Sequence, residues 1–138
     1  MTYLMQKLEV ALLFKLLPIT LVIMAGFAWA EDGNPLSAGE LEALIKGGTR
    51  VGKLSVGTYY ITFQDDGNYC ARLDSKEADC VEKGPWWFEA NTVCRKSNRS
   101  GEYCWNVTKL ADNQFRSEIT RVSSSNLKVG RKREFWIE

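Results

Sequence analysis

Four cysteines are the residues of this chain whose spacing bears most directly on chemistry. Cys70 and Cys80 are ten positions apart, and so are Cys94 and Cys104. Structural zinc sites use closer cysteines and redox centres use C-x-x-C, and neither spacing occurs here. Four cysteines allow three pairings. We predict the nearest-neighbour pairs, Cys70–Cys80 and Cys94–Cys104, because each would close a hairpin-like loop. We expect structural cross-links, with no metal and no cofactor.

Residues suited to catalysis are scarce. The chain contains no histidine, which removes the commonest general base and the usual catalytic triads. The acidic pairs Asp65/Asp66 and Asp79/Glu82 lie in predicted turns and loops, where solvated side chains are expected. A calcium loop would need more oxygen ligands at regular spacing. We therefore expect a protein that is not an enzyme.

Aromatic side chains could carry a binding function. Trp86 and Trp87 are adjacent, as are Phe135 and Trp136. Consecutive residues of a strand point to opposite faces, so only one of each pair can enter a core. Either the other faces solvent, or the sheet encloses a cavity with aromatic side chains inside and out. With two arginines of a nearby polar segment, the candidate binding residues are Trp86, Trp87, Trp105, Trp136, Arg95 and Arg99.

The first 30 residues have the pattern of a secretory signal peptide. Lys7 and Lys15 supply positive charge, an apolar run covers Leu16–Phe27, and Ala28-Trp29-Ala30 forms an A-x-A cleavage site. A membrane anchor would need about 20 apolar residues, and the stretch after Lys15 reaches only Ala30 before the acidic residues Glu31 and Asp32 begin. We expect a periplasmic or secreted mature protein of residues 31–138, without stable membrane insertion. Cysteines form disulfides in such an oxidising compartment.

Charge and length limit the class of partner. The full chain has 18 basic and 17 acidic residues, and residues 31–138 hold 16 of each. That length suits one domain. A neutral balance argues against a nucleic-acid partner. The local run Arg131-Lys132-Arg133 has two interpretations: side chains alternating with solvent on a strand or turn, or contact with an anion.

One helix and a series of strands must position these residues. Ser37 and Glu40 form a capping box at the start of a predicted helix over residues 36–46, and Gly47 supplies its left-handed last residue. From residue 49, short β-prone runs alternate with turn residues such as Asp66-Gly67. About seven or eight such runs predict a mainly β domain, a small antiparallel barrel or sandwich.

Two later segments bear on the predicted contacts. Residues 127–129 form one of the short β-prone runs. The polar segment Arg95–Gly101 is predicted to project as a loop beyond the Cys94–Cys104 bridge. A bridge at its base limits the freedom of the loop and lowers the ordering cost of binding. This loop is therefore the expected contact segment for a protein partner.

The order of short motifs along the chain resembles a known type of domain. It comprises Leu36-Ser37-x-x-Glu40-Leu41, Gly48-Thr49, an aromatic run ending at Asp66-Gly67, Gly84-x-Trp86, and Thr92-Val93-Cys94 with a later Cys104. This order resembles small secreted proteobacterial domains of unknown function with lipocalin-like or related β-barrel folds. The resemblance implies a periplasmic setting and a half-open barrel or sandwich, and it carries over no catalytic residue. The Cys70/Cys80 pair and the doubled tryptophan depart from the pattern.

Two functions remain open from the sequence. The aromatic excess beside a missing catalytic inventory favours a non-enzymatic binding module for an apolar or aromatic small ligand. The alternative is a protein-interaction module, such as an inhibitor or an accessory subunit of an envelope enzyme, because aromatic residues and arginine dominate binding hot spots.

Overall fold

Eight antiparallel strands form a closed barrel, with one short helix before them. The computed structural model describes residues 33–138, so the predicted signal peptide, residues 1–30, lies outside the described residues. The mainly β prediction with one N-terminal helix is confirmed, and the sheet is a barrel rather than a sandwich. The elements are α1 (Ala38–Lys46), β1 (Arg50–Leu54), β2 (Gly57–Phe63), β3 (Asn68–Leu73), β4 (Glu82–Glu89), β5 (Thr92–Ser97), β6 (Gly101–Ala111), β7 (Gln114–Ser124) and β8 (Lys132–Ile137).

Each strand pairs with its neighbour in sequence, and β1 pairs with β8 to close the ring. At this seam Arg50 lies opposite Ile137, and Val51 lies opposite Trp136. The Thr49 and Glu138 backbones exchange two hydrogen bonds of 2.8 and 2.9 Å beside it. Closure gives the first strand of the described sheet a partner in the last one at this seam, so neither is a free edge strand.

The helix forms for the reason that its first residues predict. The Ser37 hydroxyl accepts a hydrogen bond from the Glu40 amide, and the Glu40 carboxylate accepts one from the Ser37 amide. The prediction for Gly47 is wrong: its φ of −80° is right-handed. Its amide donates to the Leu44 carbonyl, which tightens the last turn without a left-handed residue.

Apolar side chains fill the barrel at the end where the helix enters it. Leu41 and Ile45 of α1 are fully buried in the main core cluster. Phe115 and Phe135, facing each other across β7 and β8, stack with ring centroids 5.6 Å apart. Alternate residues of each strand point inward, as Tyr59, Ile61 and Phe63 do on β2. This end of the barrel is therefore a packed core.

Both predicted disulfides are confirmed. Cys94 and Cys104 lie directly opposite each other on β5 and β6, and their bridge is fully buried. Cys70 of β3 is bonded to Cys80 in the β3–β4 connection. The first bridge joins two neighbouring strands, and the second fastens a loop to the outside of the barrel wall.

Two segments differ from the expectation. Residues 127–129 lie in the β7–β8 connection and form no strand, because backbone hydrogen bonds to β7 begin only at Gly130 and Arg131, which bond to Ile119. The predicted loop Arg95–Gly101 is largely strand, since β5 continues to Ser97 and β6 begins at Gly101. Only residues 98–100 remain as a turn. Within residues 33–138 no helix is long and apolar enough to cross a membrane.

Loss of the Cys94–Cys104 bridge should destabilise the barrel without changing its topology. The double variant Cys94→Ala/Cys104→Ala is expected to lower the free energy of unfolding by about 2–5 kcal/mol, because the unfolded chain regains loop entropy. Urea denaturation followed by tryptophan fluorescence measures the loss, and far-UV circular dichroism reports whether the sheet persists. An unchanged denaturation midpoint would contradict a stabilising role for this bridge.

Candidate functional site

A cavity of about 490 Å³ occupies the barrel between the packed core and the end opposite the helix. Residues of four connections at that end line its mouth: Val56, Val81, Arg99 and Arg131. These connections join β1 to β2, β3 to β4, β5 to β6 and β7 to β8. Small-molecule sites typically occupy about 300–1,000 Å³, so the cavity has the size of a ligand site.

The wall of the cavity is mostly apolar. Each strand of an antiparallel barrel sends every second side chain inward, and β2 and β7 place Ile61 and Ile119 there. The aliphatic and aromatic lining residues are Leu54, Val56, Tyr59, Ile61, Ala71, Leu73, Val81, Tyr103, Trp105, Ile119 and Leu127. Such a wall favours an apolar or aromatic guest over water.

Arg50 is the deepest charged residue of the cavity and is only 6% exposed. Its Nη2 donates to the Ser117 hydroxyl at 2.9 Å and to the Tyr59 hydroxyl at 3.3 Å. Its Cζ lies 4.1 Å from the centroid of the Phe135 ring. Within residues 33–138, no carboxylate oxygen lies within 4.0 Å of its guanidinium. Neutral hydroxyls and aromatic faces thus hold a buried cation that has no counterion.

Tyr59 reaches Arg50 because a glycine lies opposite it. Gly52 pairs with Tyr59 across β1 and β2. A Cβ atom at Gly52 would lie 2.4 Å from the Tyr59 ring. Glycine inside a strand often marks such a close approach. Gly52 therefore permits the ring to cross β1 and present its hydroxyl to Arg50.

Arg95 is the second interior arginine, and it does have a carboxylate partner. Its Nη2 lies 3.4 Å from Glu82, and its Nε donates to the Tyr103 hydroxyl at 2.7 Å. Burial lowers the pKa of Arg95, but Tyr103, Glu82 and Tyr69 outweigh burial and leave that pKa raised. Burial raises the pKa of Tyr69, which stays protonated and donates to Glu82 at 3.0 Å. Arg95 and Tyr69 thus both contact Oε1 of Glu82, and the Ser100 hydroxyl donates to Oε2 at 3.4 Å.

Two buried donors beside the cavity have no acceptor. They are Nη1 of Arg95 and Nε1 of Trp105, which make no hydrogen bond with any described residue. The Cζ atoms of Arg50 and Arg95 lie 5.8 and 5.5 Å from the Trp105 ring centroid. Buried donors without partners are rare in folded proteins and call for an explanation.

Positive charge is concentrated in the cavity although the domain is neutral. Six of the eight arginines of the chain line it, whereas no described lysine does. One of the six, Arg72, pairs with the outward-pointing Tyr60, and its Nε donates to the Ala78 carbonyl. Glu82 is the only acidic lining residue of the cavity. Burial lowers the pKa of Arg133, and the nearby charges of Arg131 and Arg50 lower it further. The lining of the cavity therefore contains more basic than acidic side chains.

The structure brings together some of the candidate residues. Arg95, Arg99 and Trp105 all line the cavity, with Trp105 deep and Arg99 at the exposed mouth. Arg95 lies inside the barrel, since it belongs to β5, and not in a projecting loop. Trp86 instead packs against the core, where its ring centroid lies 5.2 Å from that of Phe63.

The other two tryptophans lie on the outer wall. The Trp87 indole donates to the Glu89 carboxylate at 3.1 Å, outside the barrel. Trp136 points outward because its neighbour Phe135 is buried. The expectation that only one residue of each aromatic pair enters the core is confirmed.

No sequence pattern singled out Arg50, Tyr59 or Ser117 as site residues. Within the run Arg131-Lys132-Arg133, for which anion contact was one interpretation, Arg131 and Arg133 line the cavity, whereas Lys132 lies near Glu118. Arg50 begins β1, which was not predicted, because the run Arg-Val-Gly-Lys-Leu contains few β-forming residues. A usable signal was the alternation of Tyr59, Ile61 and Phe63, which marks one inward face of β2. Ser117 and Arg133 lie opposite each other on β7 and β8, a relation that depends on strand register.

A second cluster lies on the outer wall at the buried disulfide. Arg121 Nη2 lies 2.8 Å from Glu89 and 2.9 Å from the Cys104 sulfur. Glu89, Cys94 and Cys104 place possible metal-ligand atoms within 4.8 Å of one another. Both sulfurs are bonded to each other, so they present no thiolate to a metal. This cluster supports the barrel wall.

Comparisons of the chain with protein-family models, curated proteins and solved structures find no match. The function is therefore inferred from the geometry of the cavity.

Removal of the Tyr59 hydroxyl should destabilise the protein through Arg50. Tyr59→Phe is expected to cost about 1–3 kcal/mol, because a buried charged donor loses an acceptor. Tyr60→Phe is the matched control, since Tyr60 is the next residue of β2 and points away from the interior. Chemical denaturation of both variants measures the difference. Equal stabilities would contradict the role assigned to the Tyr59 hydroxyl.

Proposed function

We propose that this protein is a secreted or periplasmic, lipocalin-like binding module, not an enzyme, that holds a small apolar or aromatic ligand inside its barrel. The observation that carries the proposal is the open, apolar-walled cavity of about 490 Å³ above a packed core. Protein interiors are otherwise close-packed, because an unfilled space costs the dispersion contacts of its lining. A ligand of matching size would restore those contacts.

The chemistry of the cavity supports binding rather than catalysis. Glu82 is its only acidic lining residue, and Arg95 and Tyr69 both engage that carboxylate. The absence of histidine from the chain points in the same direction.

Secretion is supported by two independent features. Both disulfides are compatible with an oxidising compartment. Residues 1–30 have the pattern of a cleaved signal peptide.

A second candidate function is contact with a protein partner at the mouth of the barrel. The large hydrophobic residues that are exposed in residues 33–138 are Val56, Val81 and Val129, and all belong to connections at the open end. Exposed apolar groups gathered at one site favour a partner surface. Under this alternative, Val129→Ser would lose an envelope partner but keep the cavity, since Val129 is not one of its lining residues.

The neutral dye N-phenyl-1-naphthylamine, which fluoresces in apolar surroundings, tests the cavity directly. We expect a saturable fluorescence increase with one dye per protein. Ala71→Phe places a ring in the cavity, because Ala71 is a buried lining residue. This variant should weaken binding by about tenfold or more, equivalent to about 1.4 kcal/mol.

The control is Thr62→Phe, which adds the same ring to the outer face of β2 and should bind the dye like the parent protein. The proposal would be wrong if the parent protein gave no saturable signal. It would also be wrong if both variants bound the dye equally well.

A further inference from the structure

The lining of the cavity contains more arginines than its single carboxylate can balance. Six of eight lie there with one carboxylate, in a domain with equal numbers of basic and acidic residues. Arginine side chains at the mouth are in contact with solvent, whereas Arg50 is only 6% exposed. Burying a cation is costly unless it is paired. The position of Arg50 therefore needs an explanation beyond packing.

The neighbours of Arg50 satisfy its hydrogen bonds only in part. The Tyr59 hydroxyl accepts hydrogen bonds from its Nε and Nη2, and the Ser117 hydroxyl accepts one from Nη2. The Cζ atom lies over the Phe135 ring. Its Nη1 makes no side-chain hydrogen bond with a described residue. A guanidinium presents paired donors that match the two oxygens of a carboxylate or another oxyanion.

Two further donors beside the same cavity also lack acceptors. Arg95 Nη1 and Trp105 Nε1 are buried and have no hydrogen-bond partner among residues 33–138, and the guanidinium Cζ atoms of Arg50 and Arg95 lie within 6 Å of the Trp105 ring centroid. The ligand that complements unpaired donors and excess positive charge is rich in acceptors and negatively charged. The aliphatic wall adds a second requirement, an apolar body.

We propose that the cavity selects an amphipathic acid, an apolar or aromatic molecule with one oxyanion group, and that Arg50 receives that group. This inference rests on the proposed function, since it names the class of the ligand. The oxyanion supplies the missing counterion of Arg50, and the arginines at the mouth attract the acid as it enters. The apolar body lies against Ile61, Leu73 and Ile119.

A pair of dyes with one skeleton separates the two proposals. N-phenyl-1-naphthylamine is neutral, and 1-anilinonaphthalene-8-sulfonate carries a sulfonate on the same rings. We expect the sulfonate to bind about 10- to 100-fold more tightly, the range for a buried hydrogen bond to a charged group. Equal affinities would overturn the inference and leave the proposed function standing. Absence of saturable binding by either dye would overturn both.

Variants then locate the recognition of the anion. Arg50→Met should abolish the preference for the sulfonate, measured as the ratio of the affinities of the two dyes for the same variant, so that any change in cavity shape affects both dyes. Arg116→Met is the matched control: Arg116 is adjacent to Ser117 on β7 but belongs to an outer ion pair with Glu134. Trp105→Phe provides a second variant, which removes one unpaired donor and should reduce the preference in part.

Salt and competitors complete the test. The preference should persist at about 1 M sodium chloride, where exposed charges are screened within about 3 Å. If salt removes the preference for the sulfonate, or if Arg50→Met keeps it, then the exposed arginines at the mouth attract the anion. Either result would overturn the role of Arg50. Displacement by dodecanoate and by dodecyl phosphate, with dodecanol as the neutral control, distinguishes a carboxylate from a phosphate headgroup.

Discussion

Antiparallel pairing of β1 with β8 is the constraint on which the rest of this structure depends. It closes the sheet, so that eight strands enclose more space than the inward side chains fill at the open end. The seam also fixes Arg50, which pairs with Ile137 and therefore points into the ring. A sandwich of the same strands would leave no such enclosed space. The cavity and its buried cation are both consequences of closure.

The two ends of the barrel interior have different roles, one in stability and the other in holding the cavity. The end near α1 is filled by Leu41, Ile45 and stacked phenylalanines, which stabilise the barrel by burial of apolar area. The other end retains an open space and several incompletely satisfied donors, which cost stability. The buried Cys94–Cys104 bridge joins β5 and β6, the strands that carry Arg95 and Trp105. This disulfide thus lies beside the part of the barrel interior that contains the cavity.

Local signals in the sequence predicted the local features. The capping box at Ser37 and Glu40 and the cysteine pairs ten residues apart depend on neighbours along the chain, and each is observed. The positions of the site residues depend instead on the register between strands. Whether Arg95 lies in a loop or inside the barrel follows from how far β5 pairs with β6, and the meeting of Arg50 with Ser117 follows from closure. No local pattern of residues contains that information.

The indole resonance of Trp105 tests the central claim most directly, because Nε1 of this residue is a buried donor without an acceptor beside the cavity. In ¹H–¹⁵N spectra of the protein titrated with dodecanoate, we predict a saturable shift of the Trp105 indole signal. The indole of Trp87, on the outer wall and bonded to Glu89, should not move. A Trp105 signal that stays unchanged with both dodecanoate and dodecanol would contradict a ligand-binding interior.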